Sequence, residues 1–155
     1  MPHPGQMHLV VPTCIIVKDR MVLIAKRGDH EKAYPGKWTV PGGKLDRAEY
    51  EERPKTTADA WYNLIEETLR REVREEVGVE IQTPRYLLDC VFIRPDNLTV
   101  VVLSFWAEWA SGEVALSKDL TEFVWIDPTE ANKYDLIEGI AEEIAAVAKL
   151  LTPAP

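Results

Sequence analysis

The chain has 155 residues, 46% of them hydrophobic and 28% charged, with a formal net charge of −8 at pH 7. This length is typical of one domain with its own hydrophobic core. The negative charge argues against a protein that wraps a nucleic-acid backbone, because that function requires a basic surface. It does not exclude a phosphorylated small molecule as ligand, because a bound cation can bring an anion into an acidic site.

The sequence shows no clear targeting signal, and its cysteines and histidines do not form a metal-binding pattern. Residues 1–8 lack the basic start and apolar stretch of a signal peptide, and no apolar run approaches membrane-spanning length. Cys14 and Cys90 lie in apolar runs, so we expect small buried thiols in a reducing compartment, the cytoplasm. All three histidines, His30 among them, lack the spacing of metal ligands and are interpreted as surface residues. We expect neither a membrane nor a nucleic-acid polymer as partner, and the oligomeric state stays open, with a homodimer as one option.

Short apolar segments separated by turn residues predict a series of strands. In chain order the predicted strands are residues 9–17, 21–25, 38–40, 86–93, 98–109 and 123–126. Helical periodicity predicts two long helices, over residues 58–77 and 136–151. Thr56, Thr57 or Asp59 could cap the first helix, and Gly78 is a suitable C-terminal stop. This order predicts an α/β sandwich with a mixed sheet.

Three glutamates of the first helix carry the main chemical information. Glu72, Glu75 and Glu76 are spaced i, i+3 and i+4, so they share one helix face within an arc of about 100°. Carboxylates crowded in this way repel one another unless a cation compensates them. Oxygen ligands favour hard cations, so Mg²⁺ is the first candidate and Mn²⁺ the second. A solvated charged face is the alternative, since most runs of charge are solvated.

The context upstream of this helix favours the metal site. Gly42 and Gly43 follow a predicted strand and Pro41, and paired glycines let the backbone approach a ligand closely. Glu49 stands six residues beyond Gly43. With the helix, these positions resemble the Nudix box: glycine, five residues, glutamate, seven residues, then Arg-Glu-aliphatic-any-Glu-Glu-any-Gly-aliphatic. The matching residues are Gly43, Glu49, Arg71, Glu72, Val73, Glu75, Glu76, Gly78 and Val79.

The resemblance extends beyond the box. Residues 35–44 are similar to the MutT-like branch of the Nudix family, and the order of strands and closing helix fits the family's fold. It therefore implies a Nudix-type α/β/α sandwich with a mixed sheet, with residues 1–155 as a single Nudix hydrolase domain.

The chain departs from the family pattern in one place. Twenty-one residues, not seven, separate Glu49 from Arg71, which defines an insertion of roughly residues 50–63. A register with the usual gap would put Asn63 at the glutamate position and lose the glycine, so we reject it. The insertion falls where the loop meets the helix, so the acidic face is kept while the placement of Glu49 is open.

The insertion brings two basic and two aromatic residues near the mouth of the site. Trp61 and Tyr62 are interpreted as packed residues in the first turn of the helix. Arg53 and Lys55 have two interpretations, substrate contact or surface charge, and both are candidates for substrate binding.

The resemblance implies attack of water on a phosphorus atom of a nucleoside diphosphate linked to another group. It assigns the metal to Glu72, Glu75 and Glu76, with help from the backbone carbonyl of Gly42. Arg71 would orient the glutamates by charge-assisted hydrogen bonds, with Glu49 as its partner. The implied activity is that of a metal-dependent pyrophosphohydrolase, and a nucleoside triphosphate or a related nucleotide is the expected substrate.

The general base and the substrate contacts are less defined, because their positions vary across the family. Glu72 could act as base through a water, and Asp119 or Glu122 could do so from the polar segment before the last strand. Arg27 ends a strand where MutT-like relatives contact substrate, and Lys44 could contact a phosphate. Solvated surface residues are the alternative interpretation for each of these.

Two other functions are compatible with the same residues. An ADP-ribose or nucleotide-sugar pyrophosphatase is suggested by Pro95, 16 residues beyond Val79, a spacing found in some of those relatives. A non-catalytic nucleotide-binding regulatory module is the alternative of another class, but such modules usually lose the glutamates of the box. An α/β protein with an incidental acidic helix is a third option, and cations would not stabilise it.

Overall fold

The computed structural model of the chain describes residues 1–151, so the last four residues of the expected domain 1–155 lie outside the description. The strands are β1 Leu9–Lys18, β2 Met21–Arg27, β3 Trp38–Thr39, β4 Glu80–Ile81, β5 Arg85–Ile93, β6 Thr99–Ser111 and β7 Leu120–Ile126. The helices are α1 Leu64–Val77 and α2 Ile140–Leu151, with 3₁₀ turns at Pro4–Gln6, Arg47–Glu49 and Pro128–Lys133. The predicted strands are all present, and β4 is an additional short one.

The strands form one mixed sheet, as predicted. β1 and β6 run parallel at its centre, and the other strand pairs are antiparallel. β2 pairs with β1 and β3 along one edge and with β7 along the other, while β5 and β4 both pair with β6. The β1–β2 hairpin turns at Asp19 and Arg20, whose positive φ angles of 51° and 65° suit a tight hairpin turn.

Successive side chains of a strand point to opposite faces of the sheet, and apolar residues on both faces create a core on each. In β1, Cys14 and Ile16 face α1, whereas Ile15 and Val17 face α2, and all four are at most 4% exposed. α1 contributes Leu69, Val73 and Val77 to its core, and α2 contributes Ile140, Ile144 and Val147 to the other. The expected α/β/α sandwich is therefore present, and the apolar run of β1 is explained by burial on both faces.

The predicted start of the first helix is wrong by six residues. α1 begins after Asn63, whose φ of 61° is left-handed and whose side chain makes no capping hydrogen bond. The hydroxyl of Thr57 instead accepts from the amide of Ala60, and that of Thr56 accepts from Tyr62, at 3.1 and 3.0 Å. These side chains stabilise turns of the insertion rather than capping a helix, and Asp59 also precedes the helix.

The second helix also begins later than predicted, at Ile140, directly after Gly139 with its φ of 96°. Leu136, the predicted first residue, instead forms a bridge with Trp38. None of the helices in residues 1–151 is long and apolar enough to span a membrane.

Two burial predictions are also wrong. Cys90 is exposed, as are all the residues of β5 from Asp89 to Ile93. Trp61 and Tyr62 precede α1 rather than forming its first turn, and the Tyr62 side chain is largely exposed. Trp61 instead packs edge-to-face on Tyr50, with ring centroids 5.1 Å apart, and so organises the insertion internally.

Candidate active site

The three glutamates of α1 lie along one side of the helix, next to its buried stripe. Val73 and Val77 are fully buried against the sheet and fix the rotation of the helix about its axis. Glu72 is more enclosed than Glu75: 15% of the Glu72 side chain is exposed, against 57% of the Glu75 side chain. Glu76 lies between the core and the loop before the helix, and it is partly buried.

The glycine turn after β3 packs directly against these carboxylates. The amide of Gly42 donates to Oε1 of Glu76 at 3.2 Å. A side chain at Gly43 would overlap the carboxylate of Glu72, and one at Gly42 would lie 2.6 Å from the carbonyl oxygen of Pro12. Gly42 is therefore required by the close approach of the β1 backbone, whereas a side chain at Gly43 would force the flexible Glu72 side chain to move.

Arg71 connects the turn that precedes the insertion to the acidic face. Its Nη2 lies 2.5 Å from Oε2 of Glu49 and 3.4 Å from Oε1 of Glu72, and its Nη1 lies 3.6 Å from Oε1 of Glu75. Glu49 ends a short 3₁₀ turn that is capped by the side chain of Asp46, which accepts from the amide of Ala48. Despite the insertion, Glu49 therefore reaches the arginine that the box pattern pairs with it.

Two of the glutamates are held in an environment that disfavours their charge. The pKa of Glu76 is raised to about 7, chiefly by burial and to a smaller extent by the charges of Glu72 and Asp119. The Gly42 amide and Arg27 lower it, but they do not offset burial. The pKa of Glu72 is also raised, chiefly by burial. A cation between these carboxylates would relieve the unfavourable charge, so the donor set fits a hard divalent metal ion.

A second loop approaches Glu76 from the other side. β2 ends at Arg27, as predicted, and the next amide, of Gly28, donates to the carbonyl of Asp119 at 2.9 Å. Arg27 lies 3.4 Å from Glu31, and one ligand atom each of His30, Glu31 and Asp119 lie within 4.8 Å of one another. Sequence reasoning missed Glu31, because nothing in its local pattern relates it to a residue 88 positions later.

The two acids considered as general base lie on different sides of the sheet. Glu122 is opposite Lys26 in the β2–β7 pair, and its Oε2 lies 3.2 Å from the Lys26 ammonium. Lys26 alternates with Ile24, which faces α2, so Glu122 points away from α1. Asp119 precedes β7 and is close enough to Glu76 to raise its pKa. This placement favours Asp119 over Glu122.

The segment before Asp119 also closes the end of the acidic helix. Gly78 ends α1 in the left-handed conformation, with a φ of 73°, as the predicted stop requires. The amides of Ala115 and Ser117 donate to the carbonyls of Val77 and Glu76, both at 2.9 Å. The last turn of α1 and the chain leading to Asp119 are thereby fixed to one another.

Comparison with known proteins identifies the family. The family model for the NUDIX domain matches residues 7–147. The chain belongs to the Nudix family. It is 28% identical over 132 residues to the nucleoside triphosphatase NudI of Salmonella paratyphi B, covering 79% of this chain and 84% of that protein.

Solved structures of Nudix proteins share the fold. The MutT protein of Methanosarcina mazei Go1 is 19% identical, with a TM-score of 0.71 over 94% of this chain and 96% of that one. The NUDIX domain of Shewanella oneidensis NrtR, crystallised with ADP ribose, is 17% identical, with a TM-score of 0.70 over 95% and 90% of the two chains. The family match and the NudI relative identify the protein as a Nudix pyrophosphohydrolase, and enzymes of this family generally use divalent metal ions.

The remaining substrate-binding candidates of this Nudix enzyme have separate positions. Lys44 is exposed immediately after the glycine turn. Arg53 forms an ion pair with Glu67 in the first turn of α1, and the Lys55 ammonium lies 5.3 Å from the centroid of the Trp61 ring. Arg53 and Lys55 therefore lie on the insertion beside α1 rather than at the glycine turn.

Proposed function

We propose that the enzyme hydrolyses a phosphoanhydride bond of a nucleoside triphosphate, or of a related nucleoside diphosphate compound, with Mg²⁺ as cofactor. The packing of Glu72 and Glu76 against the glycine turn carries this proposal. It brings two partly desolvated carboxylates together beside backbone that can approach a ligand. The name of the NudI relatives supports a triphosphate as the first choice of substrate.

In this proposal Glu72, Glu75, Glu76 and the carbonyl of Gly42 would hold Mg²⁺. The ion would supply charge neutralisation of the phosphates and a more acidic attacking water. Arg71, fixed by Glu49, keeps the Glu72 and Glu75 carboxylates in position.

Proton removal from the attacking water needs a separate group. Asp119 is our first choice because it lies on the acidic side, next to Glu76, and Glu72 acting through a water is the second. Arg27, also on this side, and Lys44, beside the glycines, would contact the phosphates. Their positive charges would attract the negatively charged substrate to a protein whose net charge is −8.

A substrate panel with and without Mg²⁺ tests the proposal. It should cover nucleoside triphosphates, oxidised triphosphates, ADP-ribose, nucleotide sugars and dinucleoside polyphosphates. We expect Mg²⁺-dependent release of phosphate or pyrophosphate, highest with a triphosphate. Preference for ADP-ribose or a nucleotide sugar would favour the alternative drawn from Pro95, and binding without turnover would favour a regulatory module.

Metal binding can be tested without a substrate. Mg²⁺ should raise the melting temperature, because it binds only the folded state and relieves repulsion among the carboxylates. The shift should shrink in Glu75→Gln, measured by calorimetry in chelator and in excess Mg²⁺. Identical melting curves in both conditions for the unmodified protein would contradict a preformed site.

We propose that the enzyme acts in the cytoplasm. Both thiols, of buried Cys14 and exposed Cys90, are free, which is typical of proteins in a reducing compartment.

A further inference from the structure

A groove of about 520 Å³ separates the insertion from the outer side of α1. Its volume is within the range of small-molecule sites in proteins. The charged side chains that line it are Glu49, Arg53, Glu67, Arg70, Arg71 and Arg74. The lining therefore contains four guanidinium groups and two carboxylates, in a protein that as a whole is strongly acidic.

Each of the four guanidinium groups is ion-paired, so the groove offers unused N–H donors rather than a net positive charge. The two glutamates of the lining pair with Arg53 and Arg71. Arg70 and Arg74 pair with carboxylates outside the lining, those of Glu66 and Glu80, at 2.9 and 2.6 Å. Arg70 donates in addition to the carbonyl of Ile81, and Arg71 has further carboxylate partners on the acidic face. A guanidinium has five N–H donors, so Arg53 and Arg74, each held by one carboxylate, keep donors for a ligand.

The opposite wall of the groove is built by the insertion. Tyr50 lines the groove and is held by the edge-to-face contact with Trp61. The Trp61 indole donates in turn to the carbonyl of Arg53 at 3.0 Å, which ties the two ends of the wall together. A box with the usual seven-residue gap would have no chain to form this wall, so the groove is a consequence of the insertion.

The groove and the acidic face share one residue. Arg71 lines the groove and also contacts Glu72 and Glu75 on the acidic face. For a molecule whose anhydride lies at these glutamates, the groove is therefore the neighbouring surface on the other side of Arg71. The part of the molecule in the groove would meet guanidinium groups, which recognise phosphate by paired hydrogen bonds.

We propose that this groove binds a phosphate group of the substrate that lies outside the hydrolysed anhydride. This inference rests on the proposed function and narrows the substrate class. The enzyme selects nucleotides with an additional phosphate over otherwise identical nucleotides without it.

Matched compounds that differ by one phosphate test the inference. Adenosine tetraphosphate and ATP form one such pair, and NADPH and NADH form another; the pair to use is the one that the substrate panel shows to be hydrolysed. We expect kcat/KM to favour the additional phosphate by about tenfold, the size of one charge-assisted contact. The double variant Arg53→Ala/Arg74→Ala should lose this preference through KM, with kcat retained.

Two further variants separate recognition from general charge effects. Arg94→Ala removes an arginine from a similar ion pair, with Asp96 at 2.6 Å in the β5–β6 hairpin, and should keep the preference. Arg74→Lys keeps the charge but cannot form paired hydrogen bonds, so it should recover only part of the preference. Equal selectivity in the unmodified enzyme and in the double variant would overturn the inference, provided both melt at similar temperatures.

The experiments distinguish an error about phosphate binding in the groove from an error about the proposed function. Hydrolysis of both compounds without preference would refute the groove and leave the function intact. If no compound is hydrolysed, calorimetry with inorganic tripolyphosphate in chelator tests the groove alone. Binding that is lost in the double variant would support it, and no binding to the unmodified protein would refute it.

Discussion

The two helices cover opposite faces of one sheet in the same way, but only α1 carries a candidate site. Each buries residues at helical spacing, and each has a pair of glutamates in its first turn. α2 even has a glutamate, Glu143, whose pKa is raised by burial. A perturbed carboxylate is therefore not sufficient to mark the site. α1 differs because its acids meet the glycine turn and Arg71, which position several carboxylates together.

The largest expected difference between the helices is in turnover. Glu75→Gln and Glu76→Gln should each lower kcat about a hundredfold or more, because each removes a metal ligand while the shape of the side chain is kept. Glu142→Gln and Glu143→Gln on α2 should leave the rate within about twofold of normal, since α2 covers the face of the sheet opposite to the site. Steady-state rates at saturating Mg²⁺ measure this, and near-normal turnover in either α1 variant would falsify the metal assignment.

A smaller loss of turnover is expected when a carboxylate of the site is displaced rather than removed. Gly43→Ala puts a methyl group where the Glu72 carboxylate lies, and that flexible side chain must move. We expect kcat to fall by about tenfold to a hundredfold with little change in melting temperature. Gly5→Ala, in the N-terminal 3₁₀ turn, is a control that should leave the rate unchanged. If Gly43→Ala keeps its rate but unfolds more easily, the glycine serves packing alone.

The smallest effect, on stability without metal, follows from the raised pKa of Glu76. The folded state retains a proton up to about pH 7, whereas the unfolded chain releases it near the ordinary value of 4.5. The free energy of unfolding is therefore highest, as far as this group is concerned, below pH 4.5. It decreases as the pH rises from 4.5 to about 7, and the total loss is at most about 3 kcal/mol. Protons should also compete with Mg²⁺ increasingly below pH 7.

Urea unfolding in chelator, between about pH 5 and pH 8, measures this effect. Glu76→Gln should remove its part of the pH dependence and raise the free energy of unfolding at the alkaline end. Glu143→Gln should change stability in the same direction but leave the response to Mg²⁺ intact. An alkaline loss of stability that is equal in Glu76→Gln and the unmodified protein would contradict the environment assigned to Glu76.

Local periodicity was sufficient to predict most of the sheet and the acidic face. The spacing of Glu72, Glu75 and Glu76 depends only on helix geometry, so an insertion upstream cannot alter it. The contact between Glu49 and Arg71 spans 22 residues, and only the family pattern indicated it.

Other features depend on contacts that local patterns do not encode. The start of α1 was misplaced because Thr56 and Thr57 use their hydroxyls in turns, a role that resembles capping in sequence. The approach of Asp119 to Glu31 requires the tertiary alignment of two loops. In the same way, the sequence shows Arg70 and Arg74 only as two charges among many on a helix, because the groove that they line depends on the tertiary position of the insertion.

The hydrogen bonds from Ala115 and Ser117 to the end of α1 have a consequence for the order of folding. They join residues about 40 positions apart, so the last carbonyls of α1 cannot acquire these partners until the chain beyond β6 is available. Contacts of such sequence separation form late, because a long loop must first be closed. During synthesis the acidic helix would therefore be in place before its C-terminal end is secured. The enzyme should therefore acquire activity only when β7 joins the sheet, and not when the acidic helix forms.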